Sequence, residues 1–306
     1  MIAVLLNPTA GGSKPSDLPR ILDASFAAAG APAKVIVLDS PASTAGAVRR
    51  AVDSGATVVV AGGGDGTVST IAAALLDSHI PLGVLPLGTL NHFAKDLGLP
   101  ADLDQAIAVI AAGRRVRVDL GEVNGRVFIN NSSIGIYPDI VVEREALRAR
   151  GYRKWIAFAI ATGRVLHRFP GVVVRVRSDR SVETFQTPFL FVGNNEYQVE
   201  GISVGRRACL DQGSLSAYVA PRLRARDLPK LGVAALLGRA TRNPSLRAFA
   251  TDELEVSTPG RRMLRVALDG EVTHMVTPLR YSVRRAALEV MVPGSANPGR
   301  PTSAAT

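Results

Sequence analysis

Ten residues constrain this chain more than any others: Val58-Val59-Val60-Ala61-Gly62-Gly63-Gly64-Asp65-Gly66-Thr67. Four apolar residues read as a buried strand, and they run into three glycines, one carboxylate, a fourth glycine and a hydroxyl. Glycine adopts backbone conformations closed to other residues, and without a Cβ it lets a ligand approach the main chain closely. Beyond the turn, Val68, Ile71, Ala72, Leu75 and Leu76 recur at helical spacing. A strand, a glycine turn and a helix N-terminus together aim backbone N–H groups at one point, which suits an anion. A single glycine pair would read as a tight turn needed for shape alone. Four glycines around one aspartate at a strand–helix junction read as a phosphate site.

The flanking segments set the fold class. Ile2–Leu6, Val35–Leu38 and Leu82–Leu85 are further short apolar strands. Leu18, Ile21, Leu22, Phe26 and Ala29 predict a helix that Ser16 can cap and Gly30 closes. Ala47, Val48, Ala51 and Val52 predict another, capped by Ser43 or Thr44; shorter ones are expected over Leu90–Leu97 and Asp102–Ala111. Strands alternating with helices imply a parallel sheet covered on both faces. Ligands bind such sheets beyond the carboxyl ends of the strands, where the loops at Asn7, Gly62–Thr67 and Pro86–Thr89 fall.

From Arg114 the pattern changes to period two. Asn124-Gly125 between Glu122-Val123 and Arg126–Ile129 is a strong hairpin signal. Alternating segments recur at Val172–Arg177, Phe185–Val192, Ser214–Val219, Leu254–Ser257, Met263–Leu268, Met275–Val283 and Leu288–Val292, interrupted by helical stretches over Glu143–His167 and Asp227–Arg239. The chain therefore divides into an α/β domain over 1–118 and a β-rich, antiparallel, sandwich-like domain over 119–292. A tail over 293–306, rich in Pro, Ser, Ala and Gly, is expected to be disordered.

Composition narrows the partners. A net charge of +10 implies attraction to something anionic: nucleotide phosphates, nucleic acid or an acidic membrane surface. The single cysteine, Cys209, cannot form an internal disulfide or a multi-thiolate metal site, so a reducing compartment is expected. The opening residues lack the basic leader of a secretory signal, and no run approaches the roughly 18 apolar residues of a membrane span. A soluble or surface-resting protein is expected.

Several phosphate motifs are absent. No G-x-x-x-x-G-K-[ST] occurs; Thr67 breaks G-x-G-x-x-G; no H-R-D catalytic loop is present. With no lysine in the turn, backbone N–H groups, hydroxyls and a metal must carry the phosphate charge. What remains resembles the diacylglycerol-kinase-type lipid kinases, whose catalytic domain shares its glycine motif with NAD kinases and phosphofructokinases. The resemblance runs from Ile2 to about Pro293. It rests on Asn7-Pro8-Thr9-Ala10-Gly11, Gly63–Thr67, the stretch Pro86–Pro100, Val118-Asp119-Leu120-Gly121 and Leu268-Asp269-Gly270-Glu271. The first two pieces fit all three kinase groups; the Pro86–Pro100 stretch and a late Asp-Gly-Glu are specific to the lipid kinases.

The resemblance implies roles. Asn7, Pro8, Thr9, Ala10, Gly11, Gly63, Gly64, Asp65, Gly66, Thr67 and Thr89 would hold ATP, with Asn91 and Ser40 nearby. Asp65 would hold or orient Mg²⁺, and Asp211, in an Asp211-Gln212-Gly213 turn, would be a ligand of an accessory metal. Asp269 and Glu271 would face the γ-phosphate, one of them accepting the proton of a lipid hydroxyl; which one stays open. Asp119 could orient the nucleotide or simply cap a strand end. This chain departs from the family at His92, where many relatives carry an aspartate, and at Gln212, where they carry another.

The reading is a cytoplasmic, Mg²⁺- and ATP-dependent lipid kinase resting on the inner face of a membrane, with diacylglycerol the default acceptor. No nucleic-acid partner is expected; a homodimer is possible through an edge strand. Arg222–Arg247 and the helix around Trp155 are the two basic stretches that could meet anionic headgroups. The rivals are a soluble-metabolite kinase of the NAD kinase type and a binding protein that has lost catalysis.

Overall fold

A computed structural model of the chain describes residues 1–8, 17–168, 171–178, 181–200, 203–207, 209–220 and 247–294. The chain folds as two compact units. The first comprises Met1–Leu120, Arg207–Gln212 and Arg284–Thr306; the second comprises Gly121–Arg206 and Gly213–Val283. Both are assembled from separate stretches, because late segments of the chain return to the first unit.

In the first unit β1 (Ile2–Leu6) lies between β2 (Ala33–Val37) and β3 (Val58–Gly63), and β3 pairs with β4 (Leu82–Pro86), all parallel. The end of the long last strand, β18 (Leu279–Met291), joins beside β4 with Val290 opposite Leu82. Alternate side chains point to opposite faces. Val4, Leu6, Val58, Val60 and Leu85 pack against Leu22 and Phe26 of α1 (Leu18–Ala28) and Ile107 and Ile110 of α5 (Leu103–Ala112). Ala3, Leu5, Val59 and Ala61 point the other way and are wholly buried. There α2 (Thr44–Asp53) and α3 (Asp65–Leu75) pack on each other and on β1 and β3. Burial on both faces explains why these strands are continuous apolar runs rather than alternating ones. Asp102 caps α5 by accepting the Gln105 N–H at 3.0 Å, and Gly113, at φ 72, ends it. Ser43 stands at the start of α2 but makes no side-chain cap bond; the other expected cap, Ser16, lies outside the described residues.

The second unit is a sandwich of antiparallel sheets. One runs in the order β14 (Arg247–Thr251), β13 (Leu215–Val219), β10 (Phe189–Asn194), β7 (Asn131–Gly135), β16 (Met263–Leu268) and β17 (Glu271–Val276). The first residues of β18 pair with β15 (Glu253–Ser257), which pairs with β8 (Val172–Ser178), which pairs with β9 (Ser181–Thr187). Ile134, Leu190, Val192, Ala217 and Val266 share one core with Val174, Val176, Leu254, Val256, Leu279 and Tyr281. The expected hairpin joins β5 (Arg115–Val123) to β6 (Arg126–Phe128), with Asn124 and Gly125 both at positive φ, 47° and 78°. Only Asn and Gly tolerate that pair of conformations readily, which is why Asn-Gly marks such turns.

The α/β domain followed by an antiparallel β domain is as the sequence predicts; several elements differ. The single helix expected over Glu143–His167 is two, α6 (Ile136–Ala149) and α7 (Lys154–Arg168). Gly151, at φ 88, ends α6: its N–H donates to Arg148 O at 2.9 Å, and the Tyr152 N–H donates to Leu147 O at 3.2 Å. Pro188 separates β9 from β10, and Thr277-Pro278 separates β17 from β18. Proline has no N–H for the ladder, so each breaks what the alternation alone would join. The helix expected over Asp227–Arg239 and nearly all of the tail from 293 lie outside the described residues.

Candidate active site

The carboxyl ends of β1, β3 and β4 release three loops that hold one another. Asn7, just after β1, donates through Nδ2 to Thr67 Oγ1 at 3.0 Å, and its backbone N–H donates to Gly62 O at 2.9 Å. Gly64 stands at the head of α3 in extended backbone. A Cβ on Gly88 would lie 2.5 Å from Gly64 Cα and 2.7 Å from Asn91 Oδ1, so the two loops meet main chain to main chain. A Cβ on Gly63 would lie 2.6 Å from Thr67 Oγ1. Gly63 and Gly88 are required by proximity, because a Cβ at either position would collide with its neighbours.

Asn91 organises the β4 loop with its amide. Its Oδ1 accepts the Gly88 N–H at 2.9 Å, and its Nδ2 donates to Pro86 O at 3.0 Å and Gly88 O at 2.9 Å. The residue sits in the left-handed region at φ 49, which asparagine tolerates. Asp65 reaches across from α3: its Oδ1 accepts the Phe93 N–H at 3.1 Å, fastening the first turn of α4 (His92–Asp96). Thr89 and His92 are exposed on this loop. Pro8 follows Asn7 at the surface, while Thr9, Ala10 and Gly11 lie outside the described residues. Ser40, following β2, sits in a local turn in which the Ser43 hydroxyl donates to Ser40 O at 2.8 Å.

Behind α4 is a pair that sequence reading missed. Arg207, at the end of β12 (Ser203–Arg207), donates from Nε to Asp96 Oδ2 at 2.8 Å and from its backbone N–H to Asp96 Oδ1 at 3.2 Å. The two side chains are 0% and 2% exposed, so both ions are out of water. Burial pushes the Asp96 carboxyl above its ordinary range, against the opposing pull of the Arg207 guanidinium. The guanidinium also lies over the Phe93 ring, 5.9 Å from its centre. Nothing in the spacing of residues 96 and 207 announces this contact; only the fold brings them together.

In the second unit Asp269 and Gly270 form the two-residue loop of the β16–β17 hairpin, both at positive φ, with Leu268 opposite Glu271. The Asp269 carboxylate turns inward. Oδ2 accepts the Ile129 N–H at 2.8 Å, and Oδ1 accepts those of Asn130 at 2.8 Å and Asn131 at 3.0 Å. The Asp269 N–H in turn donates to Asn131 O at 2.9 Å. The same loop is gripped from the end of β10 and from just beyond it: Asn194 Nδ2 donates to Ile129 O at 3.1 Å, and the Tyr197 hydroxyl donates to Asn130 O at 3.0 Å. Asn130, Asn194 and Asn195 are buried, and the Asn-Asn pairs at strand ends are the signal that could have found them. Glu271 is exposed. The Tyr137 hydroxyl of α6 lies 3.9 Å from where a Cβ on Gly270 would stand.

Asp119 and Cys209 are held by their surroundings. Asp119 is 3% exposed, and its Oδ1 accepts the Ala286 N–H at 2.8 Å, which holds a strand residue at φ 49. Burial and the nearby Asp211 charge push the Cys209 thiol up, so it is no ready nucleophile. Among the described residues no three His, Cys, Asp or Glu side chains converge as a metal cage, at the exposed Asp211 or elsewhere. Asp65 suits Mg²⁺ differently. Its Oδ2 has no hydrogen bond among the described residues, and Mg²⁺ beside nucleotides is commonly held by one or two carboxylates plus phosphate oxygens. An open groove of about 760 Å³ on the second unit, lined by Glu122, Arg177, Glu253, Glu255 and Arg280 among others, contains none of the candidate residues.

Residues 1–123 match the diacylglycerol kinase catalytic domain, and residues 132–292 match the YegS C-terminal NAD kinase beta sandwich-like domain. The two matches follow the order of the structure, an α/β unit with a glycine turn after β3 and then an antiparallel sandwich. The chain belongs to the diacylglycerol kinase catalytic-domain family, with a C-terminal half of the YegS type. It is 26% identical over 224 residues to a diacylglycerol kinase of Staphylococcus saprophyticus, covering 72% of each chain. It is 44% identical over 95 residues to a Klebsiella pneumoniae protein named probable lipid kinase YegS-like, covering 30% of this chain and 32% of that one. A crystal structure of a diacylglycerol kinase from Bacillus anthracis superposes with a TM-score of 0.71 at 18% identity, over 97% of this chain and 98% of that one, which shows the shared fold.

Two predictions follow from the packing. Asp96→Ala strands Arg207 as a buried, unpaired charge and lowers stability by about 3–5 kcal/mol, whereas the double variant Asp96→Leu/Arg207→Met recovers most of the loss; urea unfolding of both measures this. Gly88→Ala forces a Cβ against backbone and costs about 1–3 kcal/mol, read as a lowered melting temperature.

Proposed function

We propose that the protein is an ATP-dependent kinase that transfers the γ-phosphate to a lipid hydroxyl, with diacylglycerol as the default acceptor. It would act from the cytoplasm on an anionic membrane surface. The observation that carries the reading is the cluster of strand-end loops around Asp65. It sets the N-terminus of α3, with the Asp65 carboxylate in its first turn, among loops tied by Asn7–Thr67 and Asp65–Phe93, and with no Walker lysine it would rely on backbone and metal for phosphate charge. Relatives named diacylglycerol kinase support the acceptor class.

In this reading the first-turn N–H groups of α3, Thr67 and the exposed Thr89 hold the triphosphate. Asp65 Oδ2 would hold Mg²⁺, which neutralises phosphate charge when bound. The acceptor hydroxyl oxygen attacks the γ-phosphorus, the bond from that phosphorus to the β,γ-bridging oxygen breaks, and ADP leaves. The hydroxyl proton passes to a carboxylate. Asp269 already accepts three backbone N–H groups, so its oxygens are committed to shaping the loop. Glu271, exposed two residues on, is the base, and Asp269 is the positioning residue that fixes the turn displaying it. General-base assistance of this kind contributes about 10²–10⁴-fold.

Purified protein given labelled ATP and Mg²⁺ is expected to label diacylglycerol in mixed micelles and to leave NAD unlabelled. Label in NAD and none in any lipid would replace this reading with a soluble-metabolite kinase. Glu271→Gln is expected to lower kcat by about 10²-fold or more with the melting temperature unchanged, in line with loss of a general base. Asp269→Asn turns an acceptor into an amide donor facing N–H groups, and should cost about 1–3 kcal/mol of stability alongside activity. Full activity in Glu271→Gln would return the base to Asp269.

A further inference from the structure

Helix α7 violates the usual pattern of a surface helix. Ala157, Ala161 and Val165 face inward, packing with Ile140 and Leu147 of α6. The outward side should then be polar. Instead Trp155 is 71% exposed, Ile156 49% and Phe158 40%, and the adjoining Tyr152 is 46% exposed. Trp155–Gly163 contains no charged residue, and Ala159 and Gly163 are also exposed. The helix is apolar toward its partner and apolar toward solvent.

Charge is confined to its ends. Arg150, Arg153 and Lys154 stand at the start, and Arg164 and Arg168 at the finish. The acids nearby are already occupied: Glu143 pairs with Arg164 at 2.6 Å, and Glu145 pairs with Arg144 at 2.9 Å. The Lys154 ammonium lies 5.9 Å from the centre of the Trp155 ring. A second copy of the chain is a poor occupant for this face. In either orientation of two such helices, basic ends would meet basic ends. A span is excluded by length: 15 residues give about 22 Å, short of a hydrocarbon core of about 30 Å. An apolar strip with a tryptophan, bracketed by cations, fits a surface that is apolar inside and anionic at its edge.

The geometry points to α7 as the element that docks this protein on an anionic lipid bilayer, lying in the interface with Trp155, Ile156 and Phe158 among the acyl chains and the flanking basic residues on the headgroups. The inference rests on the lipid-kinase reading for its partner and names the surface through which that kinase reaches its acceptor.

Trp155 is the one tryptophan in the chain, so it reports its own surroundings. Full-length protein is mixed with large vesicles of phosphatidylcholine alone or with added phosphatidylglycerol. The emission is expected to shift to the blue and to be quenched by brominated acyl chains on the anionic vesicles only, and the shift should weaken as salt is raised. Ile156→Asp, which keeps the tryptophan, is expected to reduce flotation with anionic vesicles at least tenfold. It should leave phosphorylation of detergent-dispersed diacylglycerol unchanged. An emission that stays that of water-exposed tryptophan on anionic vesicles, while lipid is phosphorylated, overturns the docking surface and spares the kinase. Vesicle-induced burial of Trp155 with no lipid phosphorylated upholds the surface and overturns the kinase. Burial of Trp155 on dimerisation in the absence of lipid, seen by sedimentation, would make α7 a self-contact and overturn the inference.

Discussion

Two loops of the first unit touch through the Cα atoms of Gly64 and Gly88, and the candidate phosphate site depends on that contact. Because Gly88 carries no Cβ, the β3 and β4 loops close on each other, and Asp65 accepts the Phe93 N–H. Asn91 then folds the β4 loop around its own amide, and Asn7 ties the β1 loop to Thr67. A site made from loops on three separate strands would ordinarily be mobile. Here each loop is braced by another, so the head of α3 is held in place by contacts within the protein.

That site was readable from sequence in its types and not in its connections. Four glycines around Asp65 indicated a close approach, but the approaching group includes Gly88, which only the fold reveals. Asn91 is expected near the nucleotide, and its three hydrogen bonds, invisible in the sequence, keep its own loop in shape. Asp269-Gly270 carried two readings, a hairpin turn and a catalytic pair. The turn geometry is present, with a carboxylate bound to the main chain of Ile129–Asn131. The helix over Glu143–His167 was one in the pattern and two in the structure because Gly151 adopts a positive φ that hydrophobic periodicity does not register.

The Asp96–Arg207 pair shows a limit of another kind. Spacing rules see neighbours along a helix or across a hairpin, and a contact 111 residues apart has no local signature. Its energetic meaning is specificity more than strength. Two ions taken out of water gain little over well-packed apolar residues, yet each makes the other's position obligatory. The pair holds the far end of α4 while Asp65 holds its first turn, so a five-residue helix too short to be stable alone is fixed at both ends.

The Asp269 clamp also bears on how the chain is made. The loop it orders lies 138 to 140 residues earlier in the sequence. Ile129, Asn130 and Asn131 must therefore wait, their N–H groups satisfied by water, until the β16–β17 hairpin has left the ribosome. Domains tend to form in the order of their synthesis, and contacts of such separation form late. The α/β unit can build most of its sheet early, but the loop over Ile129–Asn131 takes its final shape only once Asp269 is present. A product that stops before the hairpin would thus keep β1 to β4 and lack the clasp on Ile129–Asn131.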